Sequence, residues 1–235
     1  MESVKALFFD VFGTVVDWRT SIVRELASFG QMKGIDADWT GFADAWRGLY
    51  QPAMEEVRSG RRDWMILDEL HRESLVRLLG QFGIGAVSDG EIDDLNRAWH
   101  RLDPWPDCVD GLTRLKTKYI LSTLSNGNTA LLVNMAKRAG LPWDVVLGAE
   151  TARAYKPLPE AYRRNMALLA LKPHQCMMVA AHNDDLKAAT ALGMRAAFVA
   201  RPTEYGPGQT RDVAPDEDWD VITDGMTGLA TALDC

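Results

Sequence analysis

Four places in this 235-residue chain carry side chains whose types suit nucleophilic chemistry. Asp10 ends an apolar run and is followed by Gly13 and Thr14. Ser125-Asn126-Gly127 comes next, then Lys156-Pro157, then His182-Asn183-Asp184-Asp185. A carboxylate attacks an electrophilic centre when a neighbouring cation keeps it ionised against the desolvation of a cleft. A second acid can orient or deprotonate water. A hydroxyl and an amide can hold an anionic substrate, and the Thr14 hydroxyl can hold the Asp10 carboxylate. Each place also has an ordinary structural reading. Ser125-Asn126-Gly127 suits a helix-capping turn, Lys156 a solvated cation, and Asp185 a first-turn acid favoured by the helix dipole. What those readings leave unexplained is the order, because every one of these groups follows an apolar run.

Those runs are the elements that must position the chemistry. Residues 4–9 form an apolar stretch of the length and composition of a strand buried on both faces. Further strands are expected at 119–124, 143–148, 176–181, 195–199 and 219–222. Helical patterning fills 107–118, 129–139, 159–171, 184–193 and 225–233. Strands alternating with helices imply an α/β fold with a doubly wound, mainly parallel sheet. Such a sheet collects the carboxyl ends of its strands, and hence its ligands, along one edge. Gly13 supplies the tight turn after Asp10.

The stretch between the first and second strands reads differently. Segments 19–30, 38–58, 63–83 and 91–101 carry apolar residues at helical spacing, broken at 30–34, 59–60 and 83–90. Trp18, Trp39, Trp46, Trp64 and Trp99 fall here and suit a helix-bundle core. Asp103-Pro104-Trp105-Pro106-Asp107 marks the return. The expected organisation is a discontinuous core, 1–15 with 103–235, and an all-helical cap, 16–102. A ligand cleft is expected between cap and strand ends.

Composition narrows the partners. At 47% hydrophobic and 25% charged, the chain is an ordinary globular protein. A net charge of -7 argues against nucleic acid and anionic membranes as main partners, while leaving room for an anionic substrate held by local cations. Cys108, Cys176 and Cys235 lack metal-cluster spacing and fit a reducing cytoplasm. Asp10 interrupts the first apolar run, so no signal peptide is expected. No run approaches the roughly 20 residues of a membrane span.

Asp10-x-Phe12-Gly13-Thr14, Ser125-Asn126, Lys156-Pro157 and the acidic fourth motif together resemble the haloacid dehalogenase superfamily, over nearly the whole chain. Most members are magnesium-dependent phosphatases. This sequence departs from them twice. Phe12 stands where a phosphatase carries the acid that protonates its leaving group, and Ala181 stands at a metal-binding acid. The remaining chemistry is metal-free displacement at carbon, and the chain resembles the type II (S)-2-haloacid dehalogenases.

That resemblance implies a small anionic 2-haloacid as substrate, a halide as product, no cofactor, no metal and a homodimer. Asp10 would attack the halogen-bearing carbon with inversion, and Lys156 would keep Asp10 ionised. The amides of Val11 and Phe12 and the Ser125 hydroxyl, with Lys156 as a further donor, would hold the substrate carboxylate. Arg47, beside Trp46, and Asn126 would take the halide. Asp185 would handle the water that cleaves the Asp10 ester. Tyr162 keeps the family's six-residue offset from Lys156, and Glu204-Tyr205-Gly206 falls in a loop these enzymes carry.

The fourth motif departs from the well-known members, with Ala180, His182 and Asp184 where they carry Ser, Asn and an aromatic residue. His182 is expected either to replace the Asn as a donor or to act as a base near neutral pH. Asp184 is expected to point away from the halide, unless the halide pocket is built differently. The alternatives are a phosphatase, a hydrolase that opens a small carboxylate ring by the same attack, and a binding protein that kept the fold.

Overall fold

The structure, a computed structural model, describes residues 4–235. In chain order β1 is Ala6–Phe9, β2 Val16–Asp17, α1 Trp18–Lys33, α2 Trp39–Arg58, α3 Leu67–Gln81 and α4 Asp89–Asn96. Then follow β3 Asp103–Pro104, α5 Cys108–Leu115, β4 Ile120–Thr123, α6 Thr129–Ala139, α7 Ala149–Ala152 and α8 Pro159–Leu168. The chain closes with β5 Cys176–Ala180, α9 Asn183–Thr190, β6 Arg195–Val199, β7 Val221–Thr223 and α10 Met226–Ala232.

All four residues of β1 are buried, as an apolar run with no polar face requires. It sits inside a five-stranded sheet of order β4-β1-β5-β6-β7. Every pairing in that sheet is parallel. Phe9 lies level with Thr123 on one side and Val179 on the other. Asp10, Leu124 and Ala180 therefore leave the sheet at the same height, which is what gathers the strand-end chemistry.

The strand expected at 143–148 does not form as a ladder. That segment makes isolated parallel bridges only, Val145 with Ser122 and Gly148 with Ser125. A few backbone bonds remain along this edge, such as Asp144 N to Leu121 O at 2.9 Å and Thr123 N to Val145 O at 3.3 Å, and side chains add to them. The Asp144 carboxylate accepts from Leu121 N at 2.9 Å. The Thr123 hydroxyl accepts from Leu147 N and donates to Leu147 O. The short helix α7, not foreseen from the sequence, then turns the chain toward Lys156.

Helices α1–α4 form the inserted cap, entered and left through the antiparallel pair β2–β3. Their starts are capped where short polar side chains precede an apolar pattern. Asp17 accepts from Thr20 N, Asp38 from Gly41 N, and Ser88 with Glu91 forms a reciprocal box. Trp18, Trp46 and Trp99 are fully buried, while Trp39 and Trp64 are only partly so. The cap is fastened to the core by Arg58 Nη1 donating to Lys156 O, by Tyr155 Oη donating to Met65 O, and by Asn128 Nδ2 donating to Asp68. Among the described residues, no helix is long and apolar enough to cross a membrane.

Candidate active site

Asp10 is held from three sides. Lys156 Nζ donates to Oδ1 at 2.9 Å. Thr14 Oγ1 donates to Oδ2 at 2.8 Å, and His182 Nδ1 lies 3.0 Å from the same oxygen. Thr14 is itself fixed by the N–H of Ala181, the residue just past β5, which thus steers the side chain that steers Asp10. Burial opposes ionisation of Asp10, but Lys156 and His182 overcome it and hold the carboxyl well below the usual range.

The same ammonium group reaches a second acid. Lys156 Nζ also donates to Asp185 Oδ2, and Tyr162 Oη donates to Asp185 Oδ1 at 2.6 Å. Here the balance falls the other way. Burial raises the Asp185 carboxyl, Lys156 draws it down, Asp10 pushes it up, and the net direction is upward. Two acids sharing one lysine are thus driven apart, one firmly ionised and one nearer the range of a base. Burial and the facing Asp185 raise the Tyr162 phenol, so it stays a donor.

His182 corrects an expectation. Both ring nitrogens face carboxylates, Nδ1 toward Asp10 and Nε2 toward Glu204 Oε2 at 2.9 Å. Ionised carboxylates only accept, so the ring satisfies both contacts by carrying both protons. Burial lowers its pKa, Glu204 and Asp10 raise it, and the result lies well above the ordinary value. A ring already charged is a donor; the reading of His182 as a base near neutrality fails.

These residues line a cleft of about 700 Å³ between cap and core. Its floor includes Asp10, Phe12, Asn126, Lys156, Tyr162, His182 and Asp185. Its cap wall includes Trp18, Arg47, Tyr50, Gln51 and Arg58. The Arg47 guanidinium lies 4.2 Å from the Tyr50 ring centroid and 5.4 Å from that of Trp18. Its Nη1 is buried and finds no hydrogen-bond partner among the described residues. Burial lowers Arg47, the electron-rich groups Tyr205, Tyr50, Glu204 and Asp10 raise it, and it remains a cation. A desolvated cation with an unused donor is a ready anion contact.

Other expected residues sit as follows. Asn126 lines the cleft and its Oδ1 accepts from Lys156 N at 2.8 Å, which fixes the amide plane. Ser125 is buried beneath it, and its Oγ accepts from Gly127 N, the turn-capping contact weighed above. Val11 is buried beside Asp10, and Phe12 presents its ring to the cleft, edge-on to Tyr50 and Trp99. Lys156 already serves two carboxylates, so it is poorly placed to be a substrate carboxylate's main donor. Tyr162, expected among the substrate contacts, instead orients Asp185. Asp184 is exposed, at the rim of the cleft.

Tyr50, Trp18 and Glu204 were not singled out as site residues from the sequence. Tyr50 had a usable signal, since it lies three residues from Arg47 on one helix face. Glu204 had only the resemblance of its loop, because its partners Trp18 and His182 lie elsewhere in the chain.

A cation that the wider fold family implies, magnesium, does not fit these residues. The ammonium of Lys156 stands between Asp10 and Asp185, and Ala181 offers no carboxylate at the position where another acid is needed.

A parallel sheet carrying an acid at the end of its first strand, beneath an inserted helical cap, defines the class: a hydrolase working in the cleft between the two. The chain belongs to the haloacid dehalogenase-like hydrolases, whose family model matches residues 4–193. It is similar to the defluorinating L-2-haloacid dehalogenase Rha0230, with 50% identity and a TM-score of 0.97 over 99% of this chain and 96% of that one. The L-2-haloacid dehalogenase PA0810 is 46% identical, TM-score 0.96, over 99% of each chain. The (S)-2-haloacid dehalogenase 1 of Pseudomonas sp. (strain CBS-3) is 25% identical over 226 residues, 87% of this chain and 89% of the relative.

Proposed function

We propose that this protein hydrolyses short L-2-haloacids to 2-hydroxy acids without a metal, through an ester on Asp10. The observation that carries this is the surroundings of Asp10: an ionised carboxylate in the cleft between cap and core, paired with Lys156, with Ala181 where a metal-binding acid would stand and the ring of Phe12 where a phosphatase needs a proton donor.

Attack by Asp10 at the carbon bearing the halogen breaks the carbon–halogen bond and inverts the centre. Arg47, with its unused Nη1, and Asn126 take the departing halide; the amides of Val11 and Phe12 and the Ser125 hydroxyl hold the substrate carboxylate. Water then adds to the Asp10 carbonyl carbon while Asp185 accepts its proton. The upward displacement of Asp185 suits it to that task. The same reading makes residues 16–102 a cap over the core, places the protein in the cytoplasm, and gives it a homodimeric state. Because one similar enzyme is described as defluorinating, fluoroacetate belongs in the substrate panel.

The test is halide release from fluoro-, chloro- and bromoacetate and from both enantiomers of 2-chloropropionate, in EDTA. Release from the L enantiomer, absent in Asp10→Asn, is expected. Activity that requires magnesium, or that survives Asp10→Asn, would refute the reading. In ¹⁸O-water under single turnover, label should enter Asp10 and not the first product.

A further inference from the structure

Lys156 owes its place to two peptide planes, one on each side of its Cα. The plane before it is held from the core, where Lys156 N donates to Asn126 Oδ1 at 2.8 Å. The plane after it leads into Pro157, which has no N–H, so Lys156 O is that plane's only hydrogen-bonding group. Its partner comes from the cap: Arg58 Nη1 donates to Lys156 O at 2.8 Å. Core and cap together fix the direction in which the long lysine side chain leaves the backbone. At its far end Nζ meets Asp10 and Asp185.

Arg58 is the last residue of α2, where the helix dipole alone would favour a cation facing water. Its side chain is instead only 11% exposed. Nε donates to Glu55 Oε2 at 2.9 Å, Nη1 also donates to Gln51 Oε1 at 3.1 Å, and Nη2 approaches Gln51 O at 3.5 Å. These contacts orient a planar fork toward one carbonyl, a geometry that an ammonium group does not reproduce. The same helix carries Arg47 eleven residues earlier, about three turns along one face. Arg47, Gln51 and Arg58 all line the cleft. One rigid element thus holds the guanidinium with the unpartnered Nη1 at one end and the backbone of Lys156 at the other. A second clasp lies beside the first. Tyr155 Oη donates to Met65 O at 2.7 Å, and the Tyr155 ring stacks on Trp64 with centroids 4.9 Å apart. That clasp grips the side chain of Tyr155 and leaves the carbonyl of Lys156 to Arg58.

Resting on the dehalogenase reading above, we propose that Arg58 is a positioning residue: from the cap it fixes the Lys156 backbone, so the ammonium shared by Asp10 and Asp185 is in register only while α2 is docked. Docking of α2 thereby delivers the Arg47 contact for the halide and a correctly placed Lys156 together. Arg58 itself touches neither substrate nor halide and moves no proton.

The consequence is read in the two acids. Burial raises both carboxyls and Lys156 lowers them. An ammonium displaced from them lets burial prevail, and the carboxylate forms that turnover needs are then lost at a higher pH. The groups facing Lys156 Nζ are Asp10 after β1 and Asp185 on α9. Behind these stand His182 and Tyr162. Arg47 and Tyr50 act on Asp10 through space from α2, and Asp184 and Arg211 line the same cleft.

The experiment compares wild type, Arg58→Met, Arg58→Lys and Tyr155→Phe by the pH dependence of steady-state chloride release from chloroacetate. Urea midpoints and circular dichroism at each pH separate acid unfolding from titration. Arg58→Met should lose ~10–10²-fold in kcat at neutral pH, the scale of a catalytic group displaced by about 1 Å. KM should change little, because the groups assigned to the substrate carboxylate are untouched. The acid limb should move up by about one pH unit. Arg58→Lys, whose ammonium still reaches Lys156 O, should recover most of the rate and leave a small upward shift of the limb. Tyr155→Phe, which loosens the cap at the neighbouring clasp, should lower the urea midpoint yet keep the limb of wild type. Should Arg58→Met fail to fold, the limb of Arg58→Lys decides in its place. An acid limb in the Arg58 variants superimposable on wild type, or one shifted equally in Tyr155→Phe, would overturn the assignment. A wild type that releases no halide from any haloacid would instead overturn the dehalogenase reading itself.

Discussion

The floor and the cap wall of the cleft handle charge in opposite ways. On the floor every ionised group is paired: Asp10 with Lys156 and His182, Asp185 with Lys156, His182 with Glu204. On the wall, Arg47 rests on the faces of Trp18 and Tyr50 with Nη1 unpaired. The two histidines repeat the contrast. His182, between carboxylates, is raised well above its ordinary pKa. His71, stacked 4.4 Å from Trp99 with neither ring nitrogen bonded, is pushed by burial down to about 3 despite Asp68, with Arg47 adding to the fall. The floor is a finished network that holds a nucleophile in one state. The wall instead leaves one buried guanidinium nitrogen without a partner among the described residues.

The largest effect should come from breaking the floor. Lys156→Met leaves two buried acids facing one another, so turnover should fall by roughly 10³ or more, with destabilisation of about 3–5 kcal/mol in urea unfolding. Should activity survive nearly intact, the shared cation is not what sets the nucleophile. Next is the wall. Arg47→Gln should lower turnover by ~10²–10³, more for chloroacetate than for bromoacetate, whose better leaving group needs less help. It should also relieve inhibition by added halide, measured as a rise in the inhibition constant.

A smaller effect tests the division of the two acids. Tyr162→Phe removes a donor that lowers the Asp185 carboxyl. The acid limb of the pH–rate profile should then move to higher pH, with about a 10-fold loss near neutrality. An unmoved limb would take Asp185 out of the titrating role. The smallest effect is on stability. His71 is depressed in the folded protein, so it contributes stability present above the unfolded pKa near 6.5 that is lost as pH falls toward 3. Replacing it in His71→Phe should remove about 2 kcal/mol of the stability difference between pH 7 and pH 5, read from urea midpoints at the two values.

The same contrast explains what was legible in the sequence. The floor was readable because it is built from strand ends, and parallel pairing brings residues far apart in the chain to one edge by a general rule. Asp10, Lys156 and Asp185 each follow an apolar run or a short turn, so their convergence needs no side-chain detail. The strand predicted at 143–148 is reduced to isolated bridges, where side-chain bonds from Asp144 and Thr123 are mixed with a few backbone ones. The charge state of His182 was hidden because it depends on Glu204, whose place is set by a loop and by a tryptophan 186 positions away. Arg47 was suggested by resemblance alone. Nothing in an amphipathic helix distinguishes a cation lodged between rings from one facing water.

The position of β1 has a consequence for synthesis. It is made before its two neighbours in the sheet, β4 and β5, which end at Thr123 and Ala180. At translation rates of about 5–20 residues per second, this fully apolar strand waits roughly 10–30 s before the second of its edges is covered. During that interval the cap helices can already form from local contacts, while Ala6–Phe9 remains an unpaired, aggregation-prone segment. Hydrolysis at Asp10 thus waits on a strand completed some 170 residues later in the chain, and the nascent chain has to keep the future nucleophile strand in solution until then.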